Sequence, residues 1–251
     1  MAKPAEKKRP PASEALSILS SDNSPLTEAF RTLRTNLLFA DVDSRQRKLL
    51  VTSAIPKEGK TTTVANLGMT MALAGTRTLL IDADLRRPGL HRHFQVSSKV
   101  GLTSVLGDQA ELKQAIQGTK LAELSVLPSG PSVVNPVDLL GSRRMAELVN
   151  RLQTQFDLLI FDSPPVITVA DALMLAGISD GVILVIRSGG APYEVVARVK
   201  KQLESVKANI LGAMLNAFDV RREAYYSPYY YYYYSHAYGY GGSNTDGQRA
   251  K

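Results

Sequence analysis

The stretch "KLLVTSAIPKEGKTTTVANLGMTMALA", residues 48–74, restricts the possible folds more than any other part of the chain. An apolar run ends at Ser53, a loop follows, and an alanine-rich helical pattern begins at Gly59, Lys60 and Thr61. These three residues match the second half of the G-x-x-x-x-G-K-[ST] phosphate-binding loop, with Ala54 in place of its first glycine. Such a loop works when the N–H groups of a helix N-terminus point at an anion beyond the end of a strand. The lysine then meets the β- and γ-phosphates and the hydroxyl meets Mg²⁺. The spacing predicts a strand–loop–helix unit in an open sheet.

The remaining apolar runs agree. "RTLLIDAD", "LSVLPSG", "DLLIFDSP", "GVILVIRS" and "NILGAMLNAF" are continuous rather than alternating, and helix-like stretches separate them. Continuous runs indicate strands covered on both faces. The predicted fold class is therefore α/β: a parallel sheet flanked by helices on both faces, of the P-loop NTPase type. Ahead of it, "SPLTEAFRTLRTNLLFA" reads as a helix capped by Ser24, with Pro25 in its first turn and Leu26, Phe30, Leu33 and Leu37 on one face. The expected organisation is a Pro/Lys-rich arm over 1–25, a folded domain over 26–219, and a disordered tail over 220–251.

Two further motifs lie at strand ends. "LLIDADLRRP" delivers Asp82 and Asp84 at the end of one strand, and "LLIFDSPP" delivers Asp162 at the end of another. Open α/β sheets bind ligands outside the carboxyl ends of their strands. An acid directly after an apolar strand holds a metal, commonly through water. Both motifs are therefore expected to meet one nucleotide and its Mg²⁺. The absence of cysteine excludes disulfides, zinc thiolate sites and cysteine nucleophiles. No apolar run of about eighteen residues is present, and the basic N-terminus has no apolar stretch behind it. A net charge of +7 suits a polyanionic partner without selecting one.

The other conspicuous residues have bland readings. "RRPGLHRHF" is expected to be a solvated basic loop near the phosphates, with no metal site. Arg143 and Arg144 are expected to be exposed on an amphipathic helix, and Met69 and Met71 to lie in the core. The C-terminal stretch is different. Tyr225, Tyr226, Tyr229, Tyr230, Tyr231, Tyr232, Tyr233, Tyr234, Tyr238 and Tyr240 make up all but one of the chain's eleven tyrosines. An unbroken run fits neither the period of a strand nor that of a helix. It is either an aromatic sticker or a set of hydroxyl groups.

The order of these motifs resembles the bacterial tyrosine kinases, the cytoplasmic kinases of capsule and exopolysaccharide export. "EAFRTLRTN" is similar to that family's E-x-x-R-x-x-R element, which implies that Glu28, Arg31 and Arg34 contact a neighbouring subunit in a ring, an octamer in the family. Asp82, Asp84 and Arg86 fit its additional Walker A′ motif, and the tyrosine cluster fits its autophosphorylated tail. The resemblance implies ATP and Mg²⁺ as cofactors. Glu58, Gly59, Lys60, Thr61 and Thr62 would surround the phosphates, and Asn216 would read adenine. Thr61, Asp84 and Asp162 would support the metal. Lys60, Asp82 and Asp84 would be catalytic, with either aspartate as acceptor of the phenolic proton.

The implied partners are further copies of the chain, a membrane-embedded polysaccharide copolymerase as activator, and a cognate tyrosine phosphatase; nucleic acid is not expected. The implied location is the cytoplasm, at the inner face of the plasma membrane through that activator. Phosphorylation of the tail in trans around the ring is the simpler geometry. Each phosphotyrosine would add about −1.5 to −2 charges, so that modified tails repel. The rival readings are a partition-type ATPase and a nucleotide-gated scaffold with an aromatic tail. Partition ATPases carry a signature lysine in K-G-G-x-G-K-[ST]; Ile55 occupies that place here, and Lys57 is out of register.

Overall fold

The computed structural model describes residues 24–40 and 48–218. The expected arm up to residue 23 and the tyrosine cluster lie outside the described residues. The chain divides after Asn216 into a unit of residues 1–216 and a second of 217–251. Every helix and strand described here belongs to the first.

Among the described residues seven strands form one sheet: β1 (Lys48–Ser53), β2 (Thr78–Asp82), β3 (Gln117–Gly118), β4 (Leu124–Leu127), β5 (Leu158–Asp162), β6 (Gly181–Arg187) and β7 (Ile210–Asn216). Their order is β3-β4-β2-β5-β1-β6-β7. All pairings are parallel except that of β3 with β4. The helices are α1 (Pro25–Phe39), α2 (Lys60–Leu73), α3 (Leu90–Phe94), α4 (Leu102–Leu106), α5 (Leu112–Ala115), α6 (Pro136–Leu140), α7 (Arg143–Leu152), α8 (Asp171–Ile178) and α9 (Tyr193–Ser205).

The continuous apolar runs are explained by two cores, one on each face of the sheet. Successive strand residues point to opposite faces. Leu49, Val51, Leu80, Ile160 and Val185 pack with Phe30 of α1 and Val64, Leu67 and Met69 of α2. Leu50, Leu79, Ile81, Leu159, Phe161 and Leu184 pack on the other face with Met145 and Leu152 of α7, Leu175 of α8 and Val199 of α9. Burying one such side chain contributes roughly 1.5–3 kcal/mol. The central strands β1, β2 and β5 are thereby fixed on both sides, and their carboxyl ends stand side by side.

Three details depart from the sequence expectations. The strand β7 is only partly covered: Leu215 is 53% exposed, and among the described residues no strand flanks the outer side of β7. In α1, Phe30 is buried and Leu33 and Leu37 pack partly buried beside it as expected, whereas Leu26 is exposed and Thr27 is buried. The expected cap is present: the Ser24 side chain accepts the Thr27 N–H at 3.1 Å. The histidine-containing segment is not a solvated loop but the short helix α3, where burial lowers the pKa of both His91 and His93 and the Arg92 charge adds to it. Among the described residues no group of acids and histidines is arranged to hold a metal on its own. Met69 and Met71 are buried as expected, and Arg143 and Arg144 lie largely in water, Arg144 pairing with Asp108.

Candidate active site

The loop between β1 and α2 is shaped by residues on either side of its glycine. Gly59 has φ +99°, and a Cβ there would stand 2.0 Å from Asn216 Nδ2. Glycine is required for both reasons. Lys57 also adopts a left-handed conformation, at φ 68°. Position 57 is where the K-G-G motif of partition ATPases has glycine, so the backbone keeps that turn without it. Ile55, in the place of the signature lysine, packs against the apolar core. From Gly59 the helix starts directly, with the Thr63 N–H donating to the Gly59 carbonyl at 2.9 Å.

Lys60 is the first residue of α2 and is buried. Burial lowers its pKa, and the charges of Asp162, Asp84 and Glu58 partly restore it. Glu58 is also buried: its carboxylate accepts the Ile55 N–H at 3.0 Å and the Arg187 N–H at 3.3 Å. The Asn216 amide donates to the Glu58 carbonyl at 2.8 Å. Asn216, expected at adenine, thus stands against the loop itself. Thr61 and Thr62 are half-exposed in the first turn.

The acidic motifs arrive from the next two strands. Asp82 and Asp162 are register partners at the ends of β2 and β5, and both are fully buried. One oxygen of Asp82 accepts the N–H groups of Gly89 and Leu90, each at 3.0 Å. This pair of bonds brings the loop after β2 over the phosphate loop, where a Cβ on Gly89 would lie 3.0 Å from Thr61 Cγ2. The second oxygen of Asp82 and both oxygens of Asp162 have no hydrogen-bond partner. Asp84 is half-buried, and its Oδ1 accepts the Arg87 N–H at 3.0 Å.

Burial dominates the electrostatics of the pair. It raises the Asp82 pKa well above the usual carboxylate range, and the neighbouring Asp162 raises it further, against the two backbone donors. Asp162 is pushed up to about 7 by burial; the Thr61 hydroxyl, close by but outside hydrogen-bonding geometry, and the Lys60 charge pull it down, and Asp84 opposes them. Buried polar atoms without partners are costly and uncommon in native structures. Three such carboxylate oxygens beside a threonine hydroxyl suit a hard divalent cation, and the buried lysine suits the phosphates that cation would carry.

The fold therefore brings Gly59, Lys60, Thr61, Thr62, Asp82, Asp84, Asp162 and Glu58 to the adjoining carboxyl ends of β1, β2 and β5 or the loops leaving them, and Asn216 to the carboxyl end of β7, beyond β6. Glu28, Arg31 and Arg34 lie elsewhere, on α1, where Arg31 pairs with Glu28 along the helix. Arg86 makes a two-pronged pair with the fully buried Asp171 of α8, at 2.8 and 3.2 Å. Sequence reasoning missed Asp171, since an acid in the first turn of a helix looks like an ordinary solvated residue. It also missed the Arg187 N–H, a backbone group with no sequence signature.

Comparison with known proteins narrows the chemistry. A family model described as an AAA domain matches residues 57–215. The "Tyrosine-protein kinase YwqD" of Bacillus subtilis is 44% identical over 203 residues, 81% of this chain and 86% of that protein. The solved "chimerical protein CapA2B2" superposes with a TM-score of 0.79 at 35% identity, covering 82% of this chain and 90% of that one. The kinase domain of the Escherichia coli tyrosine kinase ETK gives 0.76 at 35% identity, covering 80% and 79%. With a family model matched over 57–215 and relatives covering about four-fifths of its length, the chain belongs to the bacterial tyrosine kinases, a branch of the P-loop NTPases.

Proposed function

We propose that the protein transfers the γ-phosphoryl group of Mg²⁺-bound ATP to tyrosines of its own C-terminal cluster, in trans within a ring of copies. The observation that carries this reading is the meeting of Lys60, Thr61, Asp82, Asp84 and Asp162 at adjoining strand ends, with three buried carboxylate oxygens unpartnered. Phosphoryl transfer asks a protein mainly for positioning and for neutralisation of charge. When bound, Mg²⁺ would neutralise charge on the phosphates. Lys60 and the N–H groups that open α2 hold the anion, while Thr61 and Asp162 support the cation, with Asp84 beside them. Asp82 fixes the Gly89 loop over Thr61 and leaves one oxygen facing the site. Of the two candidate bases, Asp84 is the more open, so an incoming phenol reaches it first. Its carboxylate would take up the phenolic proton, which otherwise leaves only near pH 10.

The acceptors are Tyr225 through Tyr240, and Glu28, Arg31 and Arg34 of α1 are the proposed subunit contact. The biological reading is regulation of capsule or exopolysaccharide synthesis, with a membrane-embedded copolymerase as activator and a tyrosine phosphatase as antagonist. Placement at the inner face of the plasma membrane would come through that copolymerase; among the described residues no helix is long and apolar enough to cross a membrane.

The test is mass spectrometry of the full chain after incubation with Mg-ATP. Phosphotyrosine within residues 225–240 is expected. Replacing every tyrosine there by phenylalanine should abolish self-labelling and spare transfer to an added tyrosine peptide. ATP consumption with no phosphotyrosine on either substrate would support the partition-type ATPase instead.

A further inference from the structure

Glu58 is an unusual residue for the wall of an anion site. It is buried directly before Gly59 and Lys60, close enough for its charge to act on Lys60. By charge alone it should weaken nucleotide binding. Its hydrogen bonds show what it does instead. One carboxylate oxygen accepts the Ile55 N–H at 3.0 Å, which closes residues 55–58 upon themselves. The other accepts the Arg187 N–H at 3.3 Å, from the end of β6, and lies against the turn in which the Gly190 N–H donates to the Arg187 carbonyl at 2.8 Å. A Cβ on Gly190 would stand 3.3 Å from Glu58 Oε1, so this turn closes over the carboxylate. The Glu58 carbonyl, in turn, accepts the Asn216 amide from the end of β7.

We infer that Glu58 is a positioning residue, whose carboxylate ties the phosphate loop to β6 and holds it in its anion-accepting shape without touching the nucleotide. This rests on the nucleotide-site reading above. Side-chain chemistry supports it. Two N–H donors converge on two oxygens, and only a carboxylate offers acceptors at both. Glutamine has the same length but presents an NH₂ to one of the donors. Aspartate keeps the charge but is one methylene too short to reach both. The Ile55 N–H, engaged by Glu58, is not free for phosphate, so the anion cradle is left to the N–H groups from residue 57 onward.

The two substitutions separate support from charge. In the full chain, Glu58→Gln and Glu58→Asp are compared with wild type for the affinity of Mg-ADP by calorimetry, for KM and kcat with ATP, and for melting temperature without nucleotide. A positioning role predicts about tenfold weaker Mg-ADP binding in both variants, with the loss falling on KM for ATP. It also predicts that both variants melt within a few degrees of wild type. If the carboxylate acts only as a charge, Glu58→Gln binds more tightly and Glu58→Asp is unchanged, and the inference falls. Lower melting temperatures with unchanged affinity would also overturn it, since support of the fold alone would explain them. Lys60→Met serves as the separate control. Unchanged Mg-ADP affinity in that variant removes the nucleotide site itself; lost affinity there with wild-type affinity in both Glu58 variants removes only the positioning role.

Discussion

Asp82 and Asp162 end neighbouring parallel strands as direct register partners, both without solvent contact, and three of their four carboxylate oxygens lack a hydrogen-bond partner. Two acids so placed cannot both ionise cheaply. A fold that keeps them there in the absence of a cation gives up stability to hold a site ready.

That relationship predicts a pH dependence. In the native protein Asp162 keeps its proton up to about pH 7. The unfolded chain releases it near 3.9. Between those values the native state binds more protons, so stability falls as pH rises. This contribution is complete below about 3.9 and gone once the pH has passed through about 7. Asp162→Asn should flatten that part of the profile and stabilise the metal-free protein by about 1–3 kcal/mol at pH 7.5, while abolishing phosphotransfer. Urea titrations at pH 5.5 and 7.5 measure the first effect, and peptide labelling the second.

The pair between Arg86 and Asp171 ties the loop after β2 to α8. Removing one partner of a buried pair costs about 3–5 kcal/mol, because the other charge is left uncompensated. The Arg86 head is partly in water, so Arg86→Ala should cost less, about 1–3 kcal/mol. Adding Asp171→Asn should recover most of that loss, as it removes the stranded charge. A double-mutant cycle by denaturant unfolding measures the coupling; additivity of the two changes would show that the pair contributes nothing.

Glu28, Arg31 and Arg34 should behave in the opposite way. Glu28 and Arg31 form a partly exposed pair along α1. Such pairs are worth about 0.2–1 kcal/mol. Replacing all three residues with alanine should therefore change domain stability by less than about 1 kcal/mol, yet shift the oligomer to monomer and depress tail labelling. Light scattering reads the first outcome directly. An unchanged oligomer would assign α1 to the domain surface alone.

What could be read in advance was what is local. The run from Lys48 to Ser53 followed by Gly59, Lys60 and Thr61 announces strand, loop and helix within a few residues. Asp82, Asp84 and Asp162 were legible because each follows directly on an apolar strand. The antiparallel β3 was not, since two residues carry no periodic signal. The exposure of β7 depends on which strand lies at the edge, a property of the whole sheet. Arg86 finds Asp171 across 85 residues of chain, and no spacing rule reports that. Glu58 was placed at the site by its position in the loop, but its burial and two of its three ties depend on the ends of β6 and β7.

Those ties also set an order of assembly. The central strand β1 pairs only with β5 and β6, and Glu58 meets the Arg187 N–H across 129 residues and the Asn216 amide across 158. Contacts of such separation are slow to form. During synthesis at about 5–20 residues per second, Asn216 follows Glu58 by on the order of ten seconds or more. A nascent chain therefore carries its lysine, threonine and aspartates for some time without a loop shaped to hold an anion. Nucleotide binding that depends on these ties, as proposed above, would follow the early stages of folding. The tyrosines, all but one of which follow Asn216, leave the ribosome only after the last strand of that sheet has been made.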